Sequence, residues 1–374
     1  MTKYLVALFF IVALLSLSCR QKSNSSIGGE TEEYTVKYAA GFTVKRCDGY
    51  TEVFVRDPWD TTKCLQHYVL VNRERPLPEK LPTATLVRVP LQRMIVSSSV
   101  HCAILEMLGE AENIVGVCES RYIGLDFIQN KLKEGKIIDI GEASAPNIEQ
   151  FLELSPDAII TSPLNNAPYG RVEKTGVPQI KCIDYMESSP LGRAEWIRFL
   201  SLFLGKEVVA DSIFDGIETA YNEVKELTGN VEKRPSVLTE MRFGSMWHIP
   251  GGQSYVANLF RDAKADYAWY DDKHSGSLGL SFEAVFDKSS EADFWLIKYN
   301  RSYDISYEEL KKEYAPYTRF AAYKNRHIFV CNTGQVAYYE EIPIRPDYLL
   351  KDLVKIFHPD LLPDYEMRYY KKMQ

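Results

Sequence analysis

The chain has 374 residues, 45% of them hydrophobic, which is enough to bury more than one core and sets an expectation of two domains. Its formal net charge of −7, with no basic clusters, excludes nucleic acid as a partner, since binding there requires concentrated positive charge to displace counterions.

At the N-terminus Lys3 precedes LVALFFIVALL, an apolar run of signal-peptide length that is too short to span a bilayer comfortably, and SLSC follows, ending at Cys19. This segment resembles a bacterial lipoprotein signal, which implies cleavage over residues 1–19, lipidation of Cys19 and a membrane anchor. Ser16 stands where leucine is more usual in that signal, and an uncleaved signal anchor is the alternative. Residues 20–41, with QKSNSSIGGETEE, read as a flexible tether, and the absence of an acidic cluster just after Cys19 favours a protein facing the periplasm. The remaining cysteines are Cys47, Cys64, Cys102, Cys118, Cys182 and Cys331; no CxxC pair suggests a metal or redox site, and most are expected as small buried hydrophobes. Cys47 and Cys64, expected on neighbouring strands, are the one candidate disulfide.

Residues 42–85 contain FTVKRC, a turn at Asp48-Gly49, YTEVFVRDPWD and LQHYVLVNR, whose alternation predicts a small antiparallel β extension, with ERPLPEKLP as its exit linker. From residue 86 the pattern changes to strand and helix in turn. RMIVSS, the helix VHCAILEMLG stopped by Gly109, NIVGVC, the helix NIEQFLEL, DAIITS and IKCID predict a lobe over 86–190 with a parallel sheet flanked by helices. Linking helices over 191–229 follow. The longest, from Lys206 to Leu227, repeats Val209, Ile213, Ile217, Ala220 and Val224 at helical spacing and would extend about 33 Å, enough to join two lobes. Residues 230–374 form the second α/β lobe, from SVLTEMRF through a Gly-Gly turn and SFEAVF to FWLIKY and RFAAYKNRHIFVCN.

One pattern occurs twice. NIEQFLELSPDAIITS and SFEAVFDKSSEADFWLI each place a capping residue, Asn147 or Ser281, before a glutamate at the second helical position, Glu149 or Glu283, and then run from helix into strand. Each lobe therefore presents one glutamate at a helix start, where a carboxylate also complements the helix dipole.

The segments RMIVSSSVHCAILEMLGEAENIVGV, NIEQFLELSPDAIITS, SVLTEMRFGSMWHIPGGQSYVANLF, LSFEAVF and AAYKNRHIFVCNT resemble, in order, the periplasmic substrate-binding proteins of ABC importers for ferric siderophores, haem and cobalamin. That resemblance implies two α/β lobes joined by one long helix, a ligand held between them, and Glu149 and Glu283 docking onto arginines of a dimeric permease in the inner membrane. It implies an iron chelate as ligand, with cobalamin as the alternative; a lipid-anchored glycan-binding or adhesive protein remains a reading from a different class. A monomer is expected, without cofactor or resident metal.

Loops after strands are where open α/β sheets place their ligands. They nominate Ser98, Ser99, His101, Arg121, Tyr122, Asn165 and Tyr169 from the first lobe, and Arg242, Phe243, Trp247, Tyr255, Tyr299 and Asn300 from the second. Trp247 and Tyr255, flanking the Gly-Gly turn, are the foremost of these. The six histidines form no close pair, and no nucleophile elbow, phosphate loop or dinucleotide fingerprint is present, so an enzyme is not expected. A long interlobe helix resists bending, so ligand binding should produce little compaction in solution scattering; a large decrease in radius would contradict this.

Overall fold

The computed structural model describes residues 32–165 and 170–374. The N-terminal apolar run, Cys19, most of the tether and Tyr169 lie outside the described residues.

Glu32–Tyr34 (β1), Phe42–Cys47 (β2), Tyr50–Arg56 (β3), Cys64–Asn72 (β4) and Thr85–Val89 (β5) form one sheet in that order. The first four strands are antiparallel, and β5 lies parallel to β4. Gly49 closes the β2–β3 turn at φ 81°, a conformation in which a side chain would be strained. Alternation sends Phe42, Val44, Val53, Val55, Tyr68 and Leu70 inward, where all are buried. The Tyr68 hydroxyl donates to the Gln179 carbonyl (2.7 Å) and accepts from the Lys181 N–H (2.8 Å), so this sheet grips an edge of the next.

Three expectations change here. The extension includes β5 and so runs to Val89, because TLVRV pairs with the free edge of β4. From Glu32 onward the expected tether is part of the fold. Cys47 lies opposite Tyr50 and Cys64 opposite Arg56, at the two ends of β3 and roughly 20 Å apart at strand rise. Both thiols are free, and a disulfide cannot cross that distance.

The first lobe contains Met94–Val96 (β6), Ile114–Val117 (β7), Ile138–Asp139 (β8), Ala158–Thr161 (β9) and Gln179–Lys181 (β10), all parallel in the order β10-β9-β6-β7-β8. Every residue of β6 and β9 is buried, as central strands of a sheet covered on both faces require. Its helices are Ser99–Met107 (α1), Asp126–Lys133 (α2) and Ile148–Glu153 (α3).

Pro190–Ala194 (α4), Trp196–Leu202 (α5) and Glu207–Leu227 (α6) link the lobes. The 21 residues of α6 give about 31 Å of length. Its buried stripe is Ala210, Phe214, Ile217, Tyr221 and Val224. Val209 is 42% exposed, and Ile213 and Ala220 are half-buried, because the larger Phe214 and Tyr221 turn the helix one position onto their own face. Residues 37–41 cross this region as a strap. The N–H groups of Lys37, Tyr38 and Ala39 donate to Glu195 at 2.7–2.8 Å, and those of Ala40 and Gly41 donate to Glu187 at 2.9 and 2.8 Å. Both carboxylates are buried. A Cβ on Gly41 would come within 2.6 Å of the Trp196 ring, so only glycine lets the strap seat this closely.

The second lobe contains Ser236–Thr239 (β11), Arg242–Phe243 (β12), Met246–Pro250 (β13), Asp266–Tyr267 (β14), Ser277–Leu280 (β15), Phe294–Tyr299 (β16), Ile328–Asn332 (β17) and Lys371–Lys372 (β18). Its main sheet runs β14-β11-β16-β17-β18, parallel except for β18, and β12, β13 and β15 form a small antiparallel sheet. Its helices are Tyr255–Asp262 (α7), Phe282–Ser289 (α8), Tyr307–Glu313 (α9), Ala321–Lys324 (α10), Tyr338–Glu341 (α11) and Pro346–Phe357 (α12). α12 packs on α6.

Replacing Glu195 by alanine leaves three strap N–H groups and the Arg198 guanidinium without their buried acceptor, and should cost about 3–5 kcal/mol. Urea unfolding, with limited proteolysis of the strap, measures this; unchanged stability and protection would contradict it.

Candidate functional site between the lobes

In an open parallel sheet the ligand crevice lies outside the carboxyl ends of the strands, where strand order reverses. In the first lobe the chain runs from β6 to β7 and β8 on one side and returns to β9 and β10 on the other, so the reversal lies between β6 and β9. In the second lobe it lies between β11 and β16. The segments that follow these strands are 97–99 and 162–165, and 240–242 and 300–304.

The lobes touch across this cleft. α11, which follows β17, packs on α1, which follows β6, and the Gly124 N–H donates to the Glu340 carboxylate at 3.3 Å. Nearby the Asn258 side chain donates to the Ser188 carbonyl at 2.9 Å. A buried polar chain completes the floor. His101 Nε2 lies 3.1 Å from Asp184, Arg193 Nε donates to the other Asp184 oxygen at 3.2 Å, and the Arg193 guanidinium lies 5.5 Å from the Tyr255 ring centre. Burial alone would raise the Asp184 pKa; His101 and Arg193 outweigh burial and hold it at about 2, below its ordinary 3.8.

Four nominated residues are therefore structural. Trp247 is fully buried, stacked on Trp295 at 5.7 Å, with its indole N–H donating to the Thr239 carbonyl. Tyr255 is buried and its hydroxyl donates to the Ile342 carbonyl at 2.7 Å. The Gly-Gly turn between them has a packing cause, since a Cβ on Gly251 or Gly252 would meet a carbonyl of the 269–276 segment at 2.3 Å. Tyr299 is buried, donating to Asp304 and accepting from the Ile305 N–H. His101 is buried against Asp184 and not free to meet a ligand.

The other described nominees lie on the cleft-side segments. Ser98 stands at the N-cap position of α1 without a side-chain capping bond, Ser99 is the first residue of that helix, and Asn165 and Asn300 are exposed. Arg121 and Tyr122 form an exposed turn after β7, the guanidinium 4.7 Å from the ring centre. Arg242 lies 4.0 Å over the Tyr314 ring, next to Phe243. Among the described residues the aromatic rings that remain more than half exposed are Tyr122 (67%), Phe243 (82%), Tyr303 (52%) and Tyr339 (55%). All four lie on segments that follow the carboxyl ends of the two sheets.

Tyr303, Tyr339 and the Glu240–Lys298 ion pair are absent from the sequence nominations. Burial alone would lower the Lys298 pKa; the Glu240 carboxylate outweighs it and raises the pKa above the ordinary value. A signal for the pair was present, since a lysine inside the apolar strand FWLIKY requires a partner. Tyr339 carried no signal beyond its place after the last long strand.

Glu149 and Glu283 are both exposed at the second position of their helices. The Asn147 side chain accepts from the Glu149 and Gln150 N–H groups at 3.1 and 3.2 Å, and Ser281 accepts from the Ala284 N–H at 3.3 Å. Among the described residues no group of three His, Cys, Asp or Glu side chains is placed to hold a metal ion, and no helix is long and apolar enough to cross a membrane.

The model of the periplasmic binding protein family matches residues 95–333. The chain belongs to this family. An uncharacterized lipoprotein of Methanocaldococcus jannaschii is 27% identical over 323 residues, covering 82% of this chain and 76% of its own. A possible iron-binding, periplasmic solute-binding protein of Staphylococcus epidermidis superposes with a TM-score of 0.57 at 20% identity, over 71% of this chain and 98% of its own. The periplasmic haem-binding protein RhuT of Roseiflexus sp. superposes at 0.55 and 21% identity, over 72% and 99%. At these identities the solved structures show a shared fold. Members of the family are transport-binding proteins, and the β extension lies outside the matched span.

Because the folded-state pKa of Asp184 is depressed, its stabilising contribution is full above pH 3.8 and is lost as pH falls through about 2. Urea midpoints measured across that window should fall more steeply for the native protein than for Asp184→Asn; parallel curves would remove the role assigned to this carboxylate.

Proposed function

We propose that this protein is a lipid-anchored periplasmic solute-binding protein that takes a ferric siderophore or haem into the cleft and delivers it to a dimeric ABC permease in the inner membrane. The observation that carries the reading is that the four aromatic rings more than half exposed among the described residues all lie on segments that follow the carboxyl ends of the two main sheets. Flat apolar rings suit the faces of a macrocycle or an aryl chelate, and Arg121 and Arg242 beside them suit carboxylate or catecholate oxygens. Ser98, Ser99, Asn165 and Asn300 would supply polar contacts. Cys19 would carry the lipid, as the lipoprotein relative supports by its name. Glu149 and Glu283, exposed on separate lobes, would meet basic residues of the two permease subunits; such charge pairing sets orientation and encounter rate more than affinity.

The first test is an absorption spectrum of the soluble protein, beginning after Cys19, desalted after incubation with haem, ferric siderophores or cobalamin. A stoichiometric iron-chelate chromophore is expected; retention of cobalamin alone, or of none, would overturn the cargo assignment. Tyr122→Ala and Phe243→Ala should each weaken retention several-fold, about 1 kcal/mol for a lost aromatic contact. Glu149→Lys with Glu283→Lys should leave ligand binding intact and abolish stimulation of the permease ATPase in reconstituted vesicles. Full stimulation by that variant would remove both glutamates from docking.

A further inference from the structure

The strand FWLIKY carries one charge near its carboxyl end. Lys298 stands between the buried Ile297 and Tyr299, and an ammonium at that depth requires a partner. Its partner is Glu240, the first residue after β11, whose backbone is left-handed at φ 65°. A non-glycine residue holds that conformation at a cost, and only where its surroundings over-determine it. They do so here. The Glu240 N–H donates to the Leu296 carbonyl at 2.8 Å, its own carbonyl accepts the Trp295 indole N–H at 2.7 Å, and its carboxylate accepts from Lys298.

The pair sits between β11 and β16, where strand order reverses, the place at which open α/β sheets bind their ligands. An ammonium has three N–H donors, and Glu240 is the hydrogen-bond acceptor found for it among the described residues. The Tyr338 ring lies 5.8 Å away on one side, and the Lys298 side chain keeps 14% of its surface exposed. Tyr339, the next residue on α11, is one of the four exposed rings. Of the two carboxylates on this helix, Glu340 is engaged by the Gly124 N–H and Glu341 by Arg368.

We propose that Lys298 is the anion anchor of the cleft: its remaining N–H donors receive an anionic oxygen of the cargo, a carboxylate or a metal-bound catecholate, while Glu240 fixes the ammonium in place. This rests on the cleft being the ligand site. Because the ammonium is already neutralised by Glu240, the anchor works less by long-range attraction than by selection. A cargo without an anionic oxygen leaves buried donors unfilled, and that loss discriminates between otherwise similar chelates.

The test uses the soluble protein beginning after Cys19, titrated with three probes: haemin, a ferric tris-catecholate and ferrioxamine, a cationic trihydroxamate complex. The native protein should favour one of the anionic probes over ferrioxamine by roughly tenfold or more. Lys298→Met combined with Glu240→Gln removes both charges without leaving a carboxylate orphaned. It should weaken the favoured anionic probe by about tenfold and leave ferrioxamine unchanged, while Lys298→Arg should restore most of the affinity. A folded double variant that binds the anionic probe as well as the native protein does would overturn the anchor and leave the pair a strand tie. Preference of the native protein for ferrioxamine would also overturn it. Binding of none of the three would overturn the cleft reading itself, and the anchor with it. A measurement free of substitutions guards against misfolding: because the pair is neutral and mostly buried, the preference of the native protein for the anionic probe over ferrioxamine should persist as salt is raised, and a preference that vanishes at high salt would assign it to the exposed arginines and count against the anchor.

Discussion

The packing of α6 against both lobes is the constraint on which the rest of the structure depends. One apolar stripe, Ala210 to Val224, meets the linking helix α5, which itself packs on α1 of the first lobe, and α12 of the second. Its first half is also tied by Arg198 to Asp211 and Asp215, and its second half by the Tyr221 hydroxyl to Asp262 on α7. A hydrogen-bonded helix does not bend without losing backbone bonds, so the two sheets keep a set relation with their carboxyl ends toward a common cleft. The cleft is a consequence of that stiffness.

The N-terminal extension is joined to the same first half of α6. Tyr34 donates to Asp211, Lys37 and Tyr38 reach Glu218, and five successive backbone N–H groups end on the buried carboxylates of Glu195 and Glu187. A buried carboxylate is costly unless its lone pairs are filled, and here they are filled by the strap, by Arg198 and by the Trp196 indole. Together with the Tyr68 contacts to β10, these bonds make the extension part of the first lobe.

Charges and rings divide the cleft between them. In the interior, Asp184 accepts from Arg193 and pairs with His101, and the Arg193 guanidinium lies against the Tyr255 ring of the second lobe. At the rim, Tyr122, Phe243, Tyr303 and Tyr339 have no such duty and stay exposed. Apolar area left in water is unfavourable for folding, and the proposed function gives these rings a use as ligand surface.

Much of the architecture was legible in the sequence because it follows from local rules. The change from strand alternation to strand-helix alternation near residue 86, the long helix after Lys206, and the capped glutamates at 149 and 283 all rest on spacing and on side chains that satisfy their own helix ends. Position along the chain could not say which side chains the fold would consume. Trp247 and Tyr255 flank a Gly-Gly turn as ligand residues often do, yet the loop at 269–276 presses on that turn and both rings lie in packed interiors. Cys47 and Cys64 are on adjoining segments but at opposite ends of one strand, a matter of register that their spacing does not reveal. Lys298 showed itself only as a charge in an apolar strand; its partner is 58 residues away and meets it because β11 and β16 are neighbours. What the sequence by itself determined is the series of elements and their capping, since these depend on contacts within a few residues. Which groups remain free to act was decided by tertiary packing alone, because burial and pairing depend on neighbours far away in the chain.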